Sequence, residues 1–128
     1  EVRGRIMLGT HILSLAQYNT YYTKALKIRT LIQQDFDNIL SRYDCLLTPV
    51  SPVTALRLKE RTDNPLAVYS SHNLTAAVNL AGLPAMSLPY GQVEGMPVGI
   101  QLIAWHFAEG IFLRVGYALE QSEIGGSR

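Results

Sequence analysis

Few of the residues able to do chemistry stand where they could act together. The histidines are His11, His72 and His106, none four residues from another and none beside a cysteine. Zinc sites draw their ligands from short His/Cys motifs on one helix face or turn, so this spacing argues against a metal centre. The single cysteine, Cys45, lies in the apolar run Asp44-Cys45-Leu46-Leu47-Thr48, where a thiol is a core group rather than a nucleophile. One cysteine excludes an internal disulfide and fits a reducing compartment. Ser87 precedes Leu88-Pro89 and lacks the G-x-S-x-G turn that exposes a nucleophilic serine. A Ser/His/Asp triad can be drawn on paper from many residues, which deprives it of weight. No glycine-rich loop has the spacing that cradles phosphate. Arg57, Lys59 and Arg61 surround Glu60 in a small basic patch, read as a solvated loop in preference to a partner contact. Tyr18, Tyr21, Tyr22 and Tyr43 suggest a base-stacking surface. Three of them lie on or beside an apolar stripe, and Lys24, Lys27 and Arg29 form no single basic face, so core and rim packing is the preferred reading.

The elements that must position these residues follow from periodicity. Residues 2–14 read as a helix with Val2, Ile6, Met7 and Leu13 on its apolar face and Gly9 weakening it by about 1 kcal/mol. Arg3 and Arg5, two apart, point to different sides of that helix. Ser14-Leu15-Ala16-Gln17 has the S-x-x-Q form of a capping box, which predicts a second helix from Ser14 to about Arg42. Its stripe is Tyr18, Tyr21, Ala25, Ile28, Ile32, Phe36, Ile39 and Tyr43, spaced by three or four throughout. Residues 44–48 read as a buried strand stopped by Pro49 and Pro52, and residues 53–63 as a loop. Strand ends of this kind often border a site in open sheets. Asp63-Asn64-Pro65 is a capped helix start, followed by a helix over 65–71, a break near His72 and a helix over 73–81. Gly82 can take the left-handed cap, and Pro84 forbids continuation. Short strands follow at 85–88 and 98–103 around a polar turn at 91–95, and a final helix covers 108–121, burying Ile111, Val115, Ala118 and Leu119. The long helix is expected to cover a sheet of the three strands, which would themselves expose apolar surface.

Composition narrows the classes. The chain has 128 residues, 48% of them hydrophobic, enough for one modest core and too few for two domains. A net charge of +1 gives no global field for nucleic acid or a membrane surface. No apolar run reaches the ~20 residues of a transmembrane helix. Gly125-Gly126-Ser127-Arg128 reads as a flexible tail or an expression remnant.

Four stretches carry a family resemblance: EVRGRIMLG at the start, KALKIRTLIQQDFD in the long helix, VNLAGLPAMSLPYG, and PVGIQLI. In that order they resemble the C-terminal part of the amidase-signature family, and within it the A subunits of glutamyl-tRNA(Gln) amidotransferases. The resemblance runs from Glu1 to about Gln121. It implies an α/β fold in which strands of a mixed sheet are covered by helices, with residues 1–124 an incomplete C-terminal portion of an amidase-signature domain and 125–128 the tail. The family's Ser–cis-Ser–Lys triad belongs to a Gly/Ser-rich segment upstream of Glu1. No catalytic residue is therefore expected in these 128 residues, which should be inactive alone.

The resemblance also implies roles for two positions. Arg5 stands where the A subunits bind the carboxylate of the glutamine donor, a task suited to the parallel donors of a guanidinium. The alternative is an Arg paired with a neighbouring acid or carbonyl on a helix surface. His72 stands six residues before Val78, where the family has an Asp that holds the donor's α-ammonium; the alternative is a helix cap for the stretch from Asn73. A further departure is Ala108, where family members tend to have an acidic cap, at a cost of about 1 kcal/mol. For the whole protein the resemblance implies glutamine hydrolysis that supplies ammonia for converting Glu-tRNA(Gln) to Gln-tRNA(Gln). Its partners would be the N-terminal part of the same protein and the B and C subunits, with tRNA met only through the complex and no membrane. No cofactor is expected in this chain; ATP and Mg would be used in a partner subunit, in the cytoplasm. Two other classes stay open: a stand-alone amidase acting on another amide, and a non-catalytic assembly piece. A Gly/Ser-rich segment with a distant Lys upstream marks an enzyme, and co-purification with B and C subunits separates the amidotransferase from the amidase.

Overall fold

The structure, a computed structural model, describes residues 2–14, 17–55 and 73–126, with side chains described as far as Ser122. The basic patch at 57–61, the Asp63–Pro65 helix start, the helix read over 65–71 and His72 lie outside the described residues. Helix α1 spans Val2–Ile12 and α2 spans Thr23–Leu40, with a π-helical turn, Tyr18–Tyr22, leading into α2. Strand β1 is Cys45–Pro49, followed by α3 at Asn73–Ala81. Strands β2 and β3 are Ala85–Val93 and Met96–Ala104, and α4 is Glu109–Gly126.

The expected capping box includes residues 15 and 16, which lie outside the described residues; Gln17 N and Tyr18 N donate to Ser14 O at 3.0 and 2.9 Å, and Gln17 makes no side-chain bond as cap of the π-helical turn. The turn is widened where both the backbone N–H of Thr23 and its hydroxyl donate to Tyr18 O, the latter at 3.3 Å. A hydroxyl competing for a helix carbonyl is one local cause of such irregular turns.

The sheet has the order β1-β3-β2, antiparallel at both pairings. Strands β2 and β3 run longer than expected, through Pro89 and up to a two-residue turn. Pro89 is tolerated because β2 lies at the edge of this sheet, where a missing N–H need not cost a ladder bond. The register shifts between Pro89 and Gly91, leaving Tyr90 as the extra residue. Glu94 (φ 52°) and Gly95 (φ 77°) both take left-handed conformations, the signature of a type I′ turn, whose twist matches that of the flanking strands. Strand β1, expected to be buried, is a half-buried edge, with Pro49 as its last residue opposite Ile100.

Alternation along β3 sends neighbouring side chains to opposite faces, and helices cover both, giving three layers. One cluster joins Ile103 and Leu46 to Leu40, Ile32 and Phe36 of α2 and to Val78 and Ala81 of α3. The other joins Ile100, Leu102, Ala104 and Leu88 to Phe112, Val115 and Leu119 of α4. Leu102 and Ile103 are 0% and 1% exposed, so β3 is the centre of the molecule. Helix α4 comes close to the sheet at Gly116, where an added Cβ would strike Met86 Cε and lie 3.1 Å from Leu88 Cδ1.

Three packing expectations hold in part. The buried face of α2 is Ile32, Phe36 and Leu40 rather than the whole stripe; Ile28, Ile39, Tyr18, Tyr21 and Tyr43 are exposed. The helix carries two apolar stripes, and periodicity does not say which one is covered. On α4 Val115 and Leu119 pack against the core as expected and Phe112, not foreseen, is buried with them, while Ala118 is exposed. The strands expose apolar surface, as expected, at Leu47 and along the hairpin at Tyr90, Val93 and Met96, and the helices expose more, unforeseen, at Val2, Ile6, Met7, Leu8, Ile28 and Leu31. In addition, α4 continues through Gly125 and Gly126, two residues into the stretch read as a tail. Ala108 precedes α4 and packs half-buried against its core cluster, a contact that an acidic cap could not make.

The end of α3 is a Schellman motif: Leu83 N donates to Val78 O (3.2 Å) and Gly82 N to Asn79 O (3.1 Å), with Gly82 at φ 77°. Its last carbonyls are also capped from α2. Arg29 Nε donates to Leu80 O at 2.9 Å and Gln33 Nε2 to Ala81 O at 3.3 Å. A guanidinium suits this place because the C-terminus of a helix carries partial negative charge.

Candidate functional site

Strand β1 stops at Pro49 and the chain turns sharply. Val50 N donates to Gly99 O at 3.1 Å, the last bond to β3. Ser51 then closes a local turn on itself: its hydroxyl donates to Val53 O at 2.9 Å and accepts from Val53 N at 3.3 Å. This turn swings the chain away from the hairpin and leaves an open cleft of about 430 Å³, bounded by Val50 and Ser51 on one side and by Ser87, Pro89, Val98 and Gly99 on the other. A second hollow of about 410 Å³ shares Ser51, Val98 and Gly99 and extends toward Thr54 and Tyr90. Gly99 is the common floor. A Cβ there would lie 3.2 Å from Leu88 O and 3.4 Å from Val50 Cγ2, so any side chain would press on backbone and fill the space.

The lining of the larger cleft offers hydroxyls, backbone and apolar surface, and no ionisable side chain. The Ser51 hydroxyl is spent on its own turn, and no acid or base among the lining residues could activate Ser87. Among the described residues this lining can shape and orient a bound group and offers no side chain that moves a proton.

Behind the cleft, Gln101 is buried at 3% exposure on the face of β3 that meets α3. Its Nε2 donates to Pro49 O and to Leu74 O, both at 3.3 Å. One amide thereby ties the end of β1 to the first turn of α3. Sequence reasoning missed this residue; the signal was a lone amide at an inward position of an otherwise apolar strand, which must find partners when buried.

Of the residues expected to bind substrate, Arg5 is exposed on α1, a helix with no buried residue that packs chiefly on the π-helical turn. It does not line the cleft. His72 lies outside the described residues, so the expected pair is not brought together by what is described. Among the described residues no group of three His, Cys, Asp or Glu gathers as a metal site would require, and no helix is long and apolar enough to cross a membrane.

Comparison with known proteins agrees with these features. A family model described as Amidase matches residues 1–113. The chain is 54% identical over 122 residues to the A subunit of glutamyl-tRNA(Gln) amidotransferase from Desulforudis audaxviator, covering 95% of this chain and 25% of that protein. It therefore spans about a quarter of the length of the curated relatives it matches. Among solved structures, the A subunit of glutamyl-tRNA(Gln) amidotransferase from Thermotoga maritima is 48% identical with a TM-score of 0.70, over 85% of this chain and 24% of that one. A crystal structure of an amidase is 29% identical with a TM-score of 0.77, over 95% of this chain and 28% of that one. With the family model covering all but the later turns of α4, and with solved family structures sharing its fold, the chain belongs to the amidase family.

Proposed function

We propose that these residues are the C-terminal quarter of an amidotransferase A subunit, whose whole chain hydrolyses glutamine and supplies the ammonia that converts Glu-tRNA(Gln) to Gln-tRNA(Gln). The observation that carries this reading is the 54% identity to such a protein, against 29% to an amidase of the same fold. In this reading a serine from the preceding part of the protein attacks the glutamine amide, and backbone donors stabilise the oxyanion. The cleft at the end of β1 is the candidate substrate pocket, and Arg5, which does not line it, is assigned the glutamine carboxylate by the resemblance alone. The B and C subunits are the partners, ATP and Mg are used by one of them, tRNA is met through the complex, and the compartment is the cytoplasm. The test expresses the complete protein with and without those subunits. Glutamine-dependent formation of Gln-tRNA(Gln) that requires all three is expected; hydrolysis of simple amides by the lone protein, with no transamidation in the complex, would overturn the reading.

One residue bears on how the whole protein would hold glutamine. By the family resemblance, His72 stands where the A subunits have the acid that holds the glutamine ammonium. Unit charges about 4 Å apart interact by about 4 kcal/mol at an effective dielectric of 20. A neutral imidazole offers one lone pair in place of that charge, and an imidazolium repels the ammonium. In the complete protein, His72→Asp should raise kcat/KM for glutamine at least tenfold, about 1.4 kcal/mol, and leave a simple aliphatic amide unchanged. An unchanged ratio between the two substrates returns His72 to the scaffold.

A further inference from the structure

We propose that Gln101 is a positioning residue for the substrate cleft: by holding the end of β1 and the first turn of α3 with one buried amide, it fixes the cleft wall against the helix that follows. The inference rests on the functional reading above for its substrate half, and on geometry alone for the bridge itself. A primary amide has two N–H donors on one nitrogen, and here each finds a main-chain carbonyl from a different element, Pro49 O and Leu74 O. The two carbonyls differ in kind: Pro49 O lies at the end of β1, where ladder bonds run out, and Leu74 O, in the first turn of α3, takes the amide on its second lone pair beside its helix bond. Pro49 is the last residue of β1 and Leu74 the second of α3. The residues directly after Pro49, Val50 and Ser51, form the wall of the cleft, while Val98 and Gly99, three and two residues before Gln101, form its floor. The same strand therefore supplies the floor and the tie that sets the wall. At 3% exposure water cannot replace the lost donors, so removing the amide frees both ends at once.

The test uses the complete protein, with its partner subunits where activity requires them, carrying Gln101→Met, which keeps the length of the side chain and removes both donors. Leu83→Ala, in the core beneath α3 and away from the cleft, serves as the control for general destabilisation. Two readouts are taken. Amide hydrogen exchange should rise at least tenfold in Val50–Val53 and in Asn73–Ala76 together in Gln101→Met, and not selectively there in Leu83→Ala. Steady-state kinetics should give a KM for glutamine raised tenfold or more with kcat within about threefold, whereas the control should lower active fraction at constant KM. Exchange confined to one of the two segments, or spread evenly over the molecule as in the control, overturns the bridge. Raised exchange in both segments with an unchanged KM overturns the positioning role. A wild-type protein that does not hydrolyse glutamine overturns the functional reading and the substrate half with it, and the exchange data then still decide the bridge.

Discussion

At the scale of single residues, the substrate contacts and the packing contacts respond to different substitutions. Arg5 lies on an exposed helix face, so replacing it changes little packing. Lysine keeps the charge and loses the parallel donors that grip a carboxylate. Arg5→Lys in the complete protein should raise KM for glutamine by tenfold or more with kcat nearly constant; equal KM for both proteins would remove Arg5 from the site. Glycines in α4 offer a pair with opposite expected signs. Nothing lies within 4 Å of a Cβ built on Gly110, so Gly110→Ala should stabilise by about 0.5–1 kcal/mol through helix propensity. Gly116→Ala gains the same propensity but drives a methyl into Met86 and Leu88. Overpacking costs about 1–3 kcal/mol, so the net expectation is a loss of about 1 kcal/mol. Denaturation midpoints of the two variants on either side of the parent would bear this out, and two shifts of the same sign would not.

At the scale of elements, the β2–β3 hairpin is the part whose stability can be tuned most directly. Its turn holds Glu94 at φ 52°, a conformation that a glutamate adopts at a cost and an asparagine adopts readily. Glu94→Asn should therefore stabilise by about 0.5–1 kcal/mol, read as a rise in the thermal midpoint; a fall would mean that the Glu94 side chain makes a compensating contact. The elements were largely legible in the sequence, because each had a local cause. Gly82 and Pro84 mark the end of α3, and the alternation through Ile100, Leu102 and Ala104 marks β3. What was not legible depended on tertiary partners. Pro89 looked like a strand stop because nothing local says that β2 is an edge strand. On α2 Ile32 and Phe36 pack as the stripe implies, while the position of α3 selects Leu40 and leaves Ile28 and Ile39 exposed. Of the site, Arg5 came from family resemblance, whereas the Val50–Gly99 cleft and the Gln101 bridge needed the strand register before they existed at all.

At the scale of the whole molecule, the described helices leave much apolar surface in water. Val2, Ile6, Met7 and Leu8 on α1 and Ile28 and Leu31 on α2 are each more than half exposed. So many open apolar side chains are expected where another part of a protein packs. The 128-residue chain by itself should bind a hydrophobic dye and self-associate, and it should hydrolyse neither glutamine nor a chromogenic anilide above the buffer rate, since among the described residues no proton-transfer group lines its cleft. A dye-silent monomer, or turnover that survives repurification, would count against the proposed dependence on the rest of the protein. The sheet order has a consequence in time. The β2–β3 hairpin closes through two residues, Glu94 and Gly95, and hairpins of this kind form in microseconds. Strand β1 must instead find β3 across the long excursion that separates Leu46 from Ile103, a non-local closure that slows folding. The cleft has one wall on each side of that late pairing, so it is assembled in the last step and lost in the first, and a chain emerging from the ribosome owns every residue of the pocket well before it owns the pocket.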